Sequence, residues 1–366
     1  MSYLTAIKTA ILIFPFIALI FTIPFILHQY HKYGSINKLR VLIIYSFIFY
    51  MITLYFLVIL PLPDKDDVIY KENMIRLIPF SFIKDFIKET SFSITSPKTY
   101  IKSLTEPCFY TVIFNIFMTI PFGMYLRYYF KCNLKKTIIY SFILSLFFEF
   151  TQITGLYHIY KYQYRIFDVD DLILNTIGGV LGFYIMGLIR KTLPTRDEID
   201  IKSFNDGKKV SGFRRITLFC LDFAIYIILS MNIWIITNID NIFLVMFVIY
   251  YILIPLFIGR RTIGCKFLNI KIEYKKYGII NDTLRIIFLY LYYLKVPALL
   301  INMYILLINN ININIHESIL MCFIFLFFII IYLLLNLFYL IRNNHIYYDN
   351  LFKPKYISTI KEGDTK

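Results

Sequence analysis

The sequence predicts an all-α, polytopic membrane helix bundle. Of its 366 residues, 59% are hydrophobic and only 17% are charged, and a soluble fold of this composition would expose apolar surface and aggregate. Apolar runs of roughly 18 residues or more are long enough to cross a bilayer core of about 30 Å as helices. About nine such runs follow one another along the chain, near 9–27, 41–60, 108–126, 137–154, 171–189, 216–236, 242–258, 286–308 and 318–341.

The first run reads as a retained helix rather than a secretory signal. It contains Pro15 and Pro24, and no small-residue cleavage site follows it, whereas a signal peptide has a short apolar core and such a site.

The loop between the second and third runs, 61–106, contains RLIPFSFIKDFIKE (76–89). Its apolar residues fall near one helical face, which predicts an extracellular amphipathic helix at the membrane interface. A short soluble helix that covers the mouth of the bundle is the alternative. The apolar face comprises Leu77, Phe80, Ile83, Phe86 and Ile87.

A polar segment divides the chain into two membrane domains. The residues LPTRDEIDIKSFNDGKKVSG (193–212) are rich in charge and include proline and glycine, a composition typical of a linker. Five of the apolar runs precede this segment and four follow it. We therefore predict a membrane domain at 1–191, a cytoplasmic linker at 192–211, a second membrane domain at 212–355 and a polar tail at 356–366.

Basic residues concentrate in alternate loops. Residues 190–215 carry eight Lys or Arg and 259–276 carry six, whereas 237–241 and 309–317 carry none. The positive-inside rule places the basic loops in the cytoplasm, so the N-terminus lies outside, the C-terminus inside, and the loop 61–106 outside despite its seven basic residues. The net charge of +15 therefore faces anionic lipid rather than nucleic acid. The five cysteines form no CxxC pair, so neither a metal site nor a disulfide framework is predicted.

Polar side chains concentrate at the junction of the fourth and fifth runs. Ionisable groups at a membrane boundary are costly, which marks them as functional or tightly paired. Glu149 and Gln152 lie three residues apart and so share one face of a helix. Arg165 is the strong cation between the acids of this segment, and we expect it to pair with Glu149 or with one of the aspartates.

The start of the fifth run combines acids with small residues. Asp168 precedes the helical run and is expected to cap it by accepting hydrogen bonds from free N–H groups. Asp170, Asp171 and Asn175 follow and give the outer end of the helix a polar character. A GxxxG motif at 178–182 then predicts the close approach of another helix.

These residues resemble the VanZ-like family. The resemblance rests on Asn73 with LIPF (77–80), FNIFMTIPFG (114–123), Glu149-x-x-Gln152 and RxFDxDDxxxNxxGGxxG (165–182), and it covers roughly residues 40–190. A named member of that family is linked to low-level resistance to the glycopeptide teicoplanin, so the resemblance implies a role in the bacterial cell envelope. It nominates as shared positions Asn73, Pro79, Asn115, Glu149, Gln152, Arg165, Asp168, Asp170, Asp171 and Asn175.

Three functions are open for this polar cluster. It provides caps and ion pairs that hold two spans together, or it binds a polar headgroup, a cell-wall precursor or an amphiphilic antibiotic. In the binding hypothesis, Arg165 contacts phosphate or carboxylate and the acids contact amino or hydroxyl groups. In the third hypothesis, the acids hold a divalent cation that helps to cleave a lipid-linked phosphate. We prefer non-enzymatic binding at the outer leaflet, which modifies sensitivity to teicoplanin-like glycopeptides and requires no cofactor.

The second domain carries its own charges. Arg215 and Asp222 are seven residues apart, which places them on one helical face about 10 Å apart. The spacing resembles that of the RDD family, named for one Arg and two Asp, over roughly 212–355. The further positions that carry this resemblance are Thr262, Gly264 and Lys266, within GRRTIGCKFLNIKI (259–272), and Asp349 as the second Asp. The resemblance implies a role in transport.

Asp222 lies inside a span, where an ionised side chain is costly unless it is paired. It is either a buried partner of Arg215 or Arg285, or part of a proton or cation relay. The runner-up function is therefore a transporter of an ion or small solute that uses Glu149 and Asp222. In the same domain, FLNIKI (267–272) predicts a short cytoplasmic strand or an extended linker. Membrane lipids are the expected partners, and the sequence predicts no oligomeric state.

Overall fold

The computed structural model describes residues 3–70, 72, 74–93, 95–274, 278–310, 315–343 and 351–361. The chain divides into two compact units. Unit 1 comprises Met1–Thr22 and Lys38–Ile199, and unit 2 comprises Ile23–Asn37 and Asp200–Lys366. Both units are built mainly from helices, and each contains a two-stranded sheet.

Seven helices within the described residues are long and apolar enough to cross a membrane. They are Leu4–Tyr33, Lys38–Ile59, Pro107–Tyr128, Leu134–Ile153, Val169–Thr192, Gly212–Thr237 and Gly278–Leu306. The two other predicted runs coincide with shorter apolar stretches, Ile242–Phe257 and Cys322–Asn336. The membrane helix bundle is therefore confirmed, whereas the count of nine spans stays a prediction.

Unit 1 contains the first eight helices and one parallel pair of strands. In chain order the elements are α1 (Tyr3–Tyr33, which continues into unit 2), α2 (Lys38–Ile59), β1 (Ile75–Arg76), α3 (Ser81–Glu89), α4 (Lys98–Ser103), α5 (Pro107–Tyr128), α6 (Leu134–Ile153), α7 (Gly155–His158), β2 (Phe167–Asp168) and α8 (Val169–Ile189). Strands β1 and β2 pair in the register Ile75 with Phe167 and Arg76 with Asp168. Helix α9 (Arg196–Gly207), which begins in unit 1 and lies mostly in unit 2, then occupies most of the segment predicted as a linker.

Helix α8 packs against α5 along a seam of glycines. A Cβ added at Gly182 would lie 1.9 Å from the carbonyl oxygen of Ile120, and one added at Gly178 would lie 2.2 Å from that of Ile116. From the other helix, a Cβ added at Gly123 would lie 1.9 Å from a main-chain oxygen of α8. The close helix approach predicted from the GxxxG motif is thus confirmed, because only glycine leaves room for the two backbones.

Helix α3 begins at Ser81, later than the start at 76 suggested by its apolar pattern. Two features explain the difference. Arg76 belongs to β1 and pairs with β2, and Phe80 adopts a left-handed φ of 62° that a helix does not continue through. The apolar face survives in the shorter helix, where Ile83 and Ile87 are 49% and 60% exposed. Its location at an extracellular membrane interface stays a prediction.

Unit 2 contains the remaining helices and an antiparallel pair of strands. The elements are α10 (Gly212–Thr237), α11 (Ile242–Val248), α12 (Ile254–Phe257), α13 (Ile263–Phe267), β3 (Ile270–Glu273), α14 (Gly278–Tyr290), α15 (Val296–Asn310), α16 (Ile315–Asn343) and β4 (Lys355–Ser358). Single π-helical turns, Ile249–Leu253 and Leu291–Lys295, join α11 to α12 and α14 to α15.

Strand β3 confirms the strand predicted within 267–272, and its partner β4 is a correction to the sequence analysis. The two strands pair antiparallel, with Ile270 opposite Ser358 and Ile272 opposite Tyr356. The predicted polar tail begins at 356, inside β4. Tyr356 is buried and packs in one cluster with Leu268 and Ile270, so the burial of its ring holds the strand in place.

Arg214 is a buried cation of unit 2, and sequence reasoning did not single it out. Its side chain is 0% exposed. The Nη2 atom donates to the carbonyl oxygens of Leu268 at 2.6 Å and Asn269 at 3.0 Å. The Nη1 atom donates to those of Gly207 at 2.9 Å and Gly34 at 3.2 Å. One guanidinium therefore connects the start of α10 to the end of α1, to α9 and to the turn before β3.

Candidate functional site

Unit 1 contains a cavity of about 500 Å³ where one end of α2, α5, α6 and α8 meet. Its polar side includes Asn115, Glu149, Gln152, Arg165 and Asp171. Its apolar wall includes Leu57, Leu60, Leu62, Phe114 and Met118. The structure thus brings together, around one cavity, five of the residues selected from the sequence.

Glu149 and Gln152 share the buried face of α6, as their spacing predicts. They are 2% and 4% exposed. Oε2 of Glu149 accepts a hydrogen bond from the backbone N–H of Asp168 at 3.1 Å. Nε2 of Gln152 donates to the carbonyl oxygen of Val58 at 3.1 Å. Each side chain therefore uses one polar atom to fasten α6 to a neighbouring element.

Asp168 caps α8, as predicted, because its Oδ1 accepts a hydrogen bond from the N–H of Asp170 at 2.9 Å. Its cation partner is Arg76, which lies 3.5 Å from Oδ2 of Asp168 and 2.6 Å from Oδ2 of Asp85. Burial raises the pKa of Asp168 above its usual range, and the hydrogen bond from Asp170 and the charge of Arg76 offset this only in part. Arg76 had no recognisable signal in the sequence, because its contact with Asp168 depends on the pairing of β1 with β2.

Asp171 faces the cavity from the first turn of α8. Nδ2 of Asn115 donates to its Oδ1 at 2.5 Å, and Oγ of Ser145 donates to its carbonyl oxygen at 3.2 Å. One turn further on, Nδ2 of Asn175 donates to Oγ of Ser145 at 2.8 Å, and its carbonyl oxygen accepts from Thr119 at 2.9 Å. Asn115 and Asp171 thus belong to the cavity, whereas Asn175 holds α5, α6 and α8 together.

Arg165 does not form the ion pair expected for it. Among the described residues, Nη1 donates to the carbonyl oxygen of Val58 at 2.5 Å and Nη2 to that of Leu60 at 3.0 Å. The last turn of a helix leaves carbonyl oxygens without helical partners, and the guanidinium satisfies those at the end of α2. Arg165 therefore lines the cavity as an anchor for α2.

Asp170 holds the start of α3. Its Oδ1 accepts from the N–H of Phe80 at 2.5 Å, and its Oδ2 accepts from the hydroxyl of Ser81 at 2.7 Å and the N–H of Phe82 at 2.9 Å. The carboxylate is 3% exposed and satisfies N–H groups that the first turn of α3 leaves free. It acts as a cap that another segment of the chain supplies to α3.

Replacing Asp170 by alanine is expected to release α3 from unit 1. Three hydrogen bonds to one carboxylate disappear, and a buried cap of this kind contributes about 2 kcal/mol or more. Hydrogen exchange at the amides of Phe80 and Phe82 should accelerate at least tenfold. Asp85→Ala is the control. It removes another carboxylate that contacts Arg76 and should leave these two amides protected in the same measurement. Unchanged protection in Asp170→Ala would contradict the capping role.

Two predicted positions, Asn73 and Asp349, lie outside the described residues. Within the described part of the chain, no group of three or more His, Cys, Asp or Glu side chains is arranged to hold a metal ion.

Asp222 of unit 2 is 5% exposed on α10 and is bound by neutral donors. Its Oδ1 accepts from the hydroxyl of Tyr250 at 2.6 Å and from the N–H of Gly264 at 2.9 Å. Its Oδ2 accepts from the hydroxyl of Thr262 at 2.7 Å. Three donors from two other segments satisfy a buried carboxylate in the way that buried polar groups require.

The two arginines expected to pair with Asp222 have other contacts. The guanidinium of Arg215 lies over the ring of Tyr356, 4.4 Å from its centroid, and Arg285 lies 3.0 Å from the carboxylate of Asp282. Both arginines line, together with Asp222, a small cavity of about 40 Å³. Within the described residues, Asp222 therefore accepts its hydrogen bonds from three neutral donors, and the two arginines line the same cavity.

The helix bundle and its polar cavity define a polytopic membrane protein. Residues 47–190 match the family model described as VanZ/LLP1, and this range contains all the cavity residues named above. The chain is thus similar to the VanZ family over most of unit 1, as the sequence motifs predict, and the match does not extend to residues 212–355, for which the RDD resemblance stays a prediction. Neither a curated protein nor a solved structure matches the chain.

Proposed function

We propose that unit 1 binds a polar ligand or lipid headgroup at the outer leaflet and thereby modifies the sensitivity of the bacterial envelope to teicoplanin-like glycopeptides. One observation carries the proposal: Glu149 and Asp171 line a cavity that apolar side chains also line. A headgroup with its attached chain needs both kinds of surface. The match of 47–190 to the VanZ/LLP1 family model supports the same role.

We also propose that the cavity opens toward the exterior. It lies at the N-terminal ends of α5 and α8 and the C-terminal ends of α2 and α6. The opposite ends of α5 and α6 are joined through 127–136, which carries four basic residues. The positive-inside rule assigns that basic loop to the cytoplasm and the cavity to the other side.

For residues 212–355 we propose an RDD-type domain. Asp222, Thr262 and Gly264 are among the positions on which that resemblance rests, and hydrogen bonds of 2.7 and 2.9 Å join them. Their convergence supports the assignment. Transport through this domain is the alternative function. It is favoured if proteoliposomes with the parent protein show a cation flux that proteoliposomes with Asp222→Asn lose.

Glu149→Gln tests the proposed function. The substitution keeps the shape of the side chain and removes its charge, so binding of a donor group weakens by about tenfold or more. We expect a host that expresses Glu149→Gln to become as sensitive to teicoplanin as a host without the protein, measured as the minimum inhibitory concentration. Abundance in the membrane, measured by immunoblot, should stay within about twofold of the parent, because the substitution removes no contact on which the stability of the fold depends to a similar extent.

The matched control is Glu89→Gln, which makes the same substitution at the exposed end of α3 and should leave drug sensitivity unchanged. Unchanged sensitivity of Glu149→Gln at normal abundance would refute the proposed function. A parallel fall in abundance and resistance would assign the cluster to fold stability instead.

A further inference from the structure

The cavity of unit 1 presents hydrogen-bond acceptors that no described residue satisfies. Oε1 of Glu149 and Oδ2 of Asp171 accept no hydrogen bond within the described chain, since the only bonds to these carboxylates reach their other oxygens. The amide oxygens of Gln152 and Asn115 are also unoccupied there, because both amides are bonded through nitrogen. Glu149 is only 2% exposed, and an acceptor that lines a cavity takes its donor from water or from a ligand.

The donors around the same cavity use part of their N–H groups on the protein itself. Nη1 and Nη2 of Arg165 donate to the carbonyl oxygens of Val58 and Leu60. The amide nitrogen of Gln152 also donates to Val58, and that of Asn115 donates to Asp171. Two carboxylates, Glu149 and Asp171, and one guanidinium, Arg165, line the cavity, and each carboxylate keeps an oxygen that no described residue contacts. This charge balance disfavours a phosphate or carboxylate and favours a cation that carries N–H groups.

The size and the wall of the cavity indicate the rest of the ligand. A volume of about 500 Å³ far exceeds the space that a single inorganic cation occupies. Leu57, Phe114 and Met118 also line the cavity, and such an apolar surface gains free energy by covering an alkyl chain.

We propose that the cavity receives the ammonium head of an amphiphilic amine, with the N–H groups donating to Glu149 and Asp171 and the alkyl chain lying on the apolar wall. The inference rests on the proposed binding function and names its ligand class. It replaces the expectation that Arg165 binds an anionic group, because that guanidinium already bonds the end of α2 and shares the cavity with two carboxylates.

The test uses the full chain in phosphatidylcholine nanodiscs at pH 7, with radiolabelled dodecylamine as the probe and empty nanodiscs as the background. We expect saturable binding at one site per chain. Glu149→Gln and Asp171→Asn should each weaken it by about tenfold or more, as expected for loss of a charge-assisted hydrogen bond. Glu89→Gln should bind as the parent does. The melting temperature of each variant, monitored by size-exclusion fluorescence, distinguishes weak binding from misfolding.

Two competitors identify the recognised group. Dodecyltrimethylammonium has the charge without N–H groups and should compete about tenfold more weakly than dodecylamine, whereas dodecyl phosphate should not compete. Failure of dodecylamine to bind saturably, or equal competition by dodecyl phosphate, would overturn the ammonium assignment. Saturable binding of dodecyl phosphate that depends on Glu149 would reject the ammonium ligand but would still agree with the proposed binding function. The proposed function itself is decided by the teicoplanin assay.

Discussion

Arg214→Met is expected to destabilise unit 2 by about 3–5 kcal/mol, since the substitution leaves several buried carbonyl oxygens without donors. Methionine fills much of the volume of the arginine stem but donates no hydrogen bond. The oxygens of Leu268, Asn269 and Gly207 lose their partner at once. The melting temperature in detergent, followed by size-exclusion fluorescence, measures the loss, and the fraction of chain recovered in membranes measures its consequence in cells.

Arg260→Met is the matched control for this prediction. Arg260 is exposed, so the same change of residue and charge there should alter stability by about 0.5 kcal/mol at most. Arg214→Lys should fall between the two, because an ammonium keeps the charge but has three donors in place of five. A melting temperature for Arg214→Met equal to that of Arg260→Met would show that the buried network contributes little.

Gly182→Ala is expected to destabilise unit 1 by about 1–3 kcal/mol or more. The added methyl group would lie 1.9 Å from the carbonyl oxygen of Ile120 and 3.1 Å from the backbone nitrogen of Met124. Both obstacles are main-chain atoms, so relief requires α5 and α8 to move apart along the seam. Such a movement also shifts Asn115 and Asp171, and the variant should lose dodecylamine binding together with stability.

The same substitution at Gly278 serves as the comparison. No described atom lies within 4 Å of a Cβ added there, and alanine has a higher helix propensity than glycine. We expect Gly278→Ala to match or slightly exceed the stability of the parent. Equal melting temperatures for Gly182→Ala and Gly278→Ala would contradict the close packing of the glycine seam.

Features of the fold that depend on local sequence were predictable. Apolar run length identified the seven helices that the structure makes long enough to span a membrane. The cap by Asp168 and the glycine approach at 178–182 follow from rules that concern one helix end or one helix face. The shared burial of Glu149 and Gln152 follows from helical spacing in the same way.

Features that depend on backbone atoms distant in sequence were not predictable. The sequence places Arg165 among acids, but the oxygens it contacts are the main-chain carbonyls of Val58 and Leu60, which carry no residue signature. Asp170 likewise satisfies N–H groups of the α3 start. Charge complementarity predicts that acids pair with bases. In these two cases the charged side chain instead bonds backbone groups that a helix end leaves unsatisfied.

The pairing of β3 with β4 sets an order of events during synthesis. Roughly 80 residues separate the two strands in the chain, and contacts between such distant segments form late. The ribosome must therefore have released α14, α15 and α16 before β3 acquires its neighbour. Synthesis of the last helices therefore precedes completion of this sheet, and until then the edge of β3 is open to other extended chains.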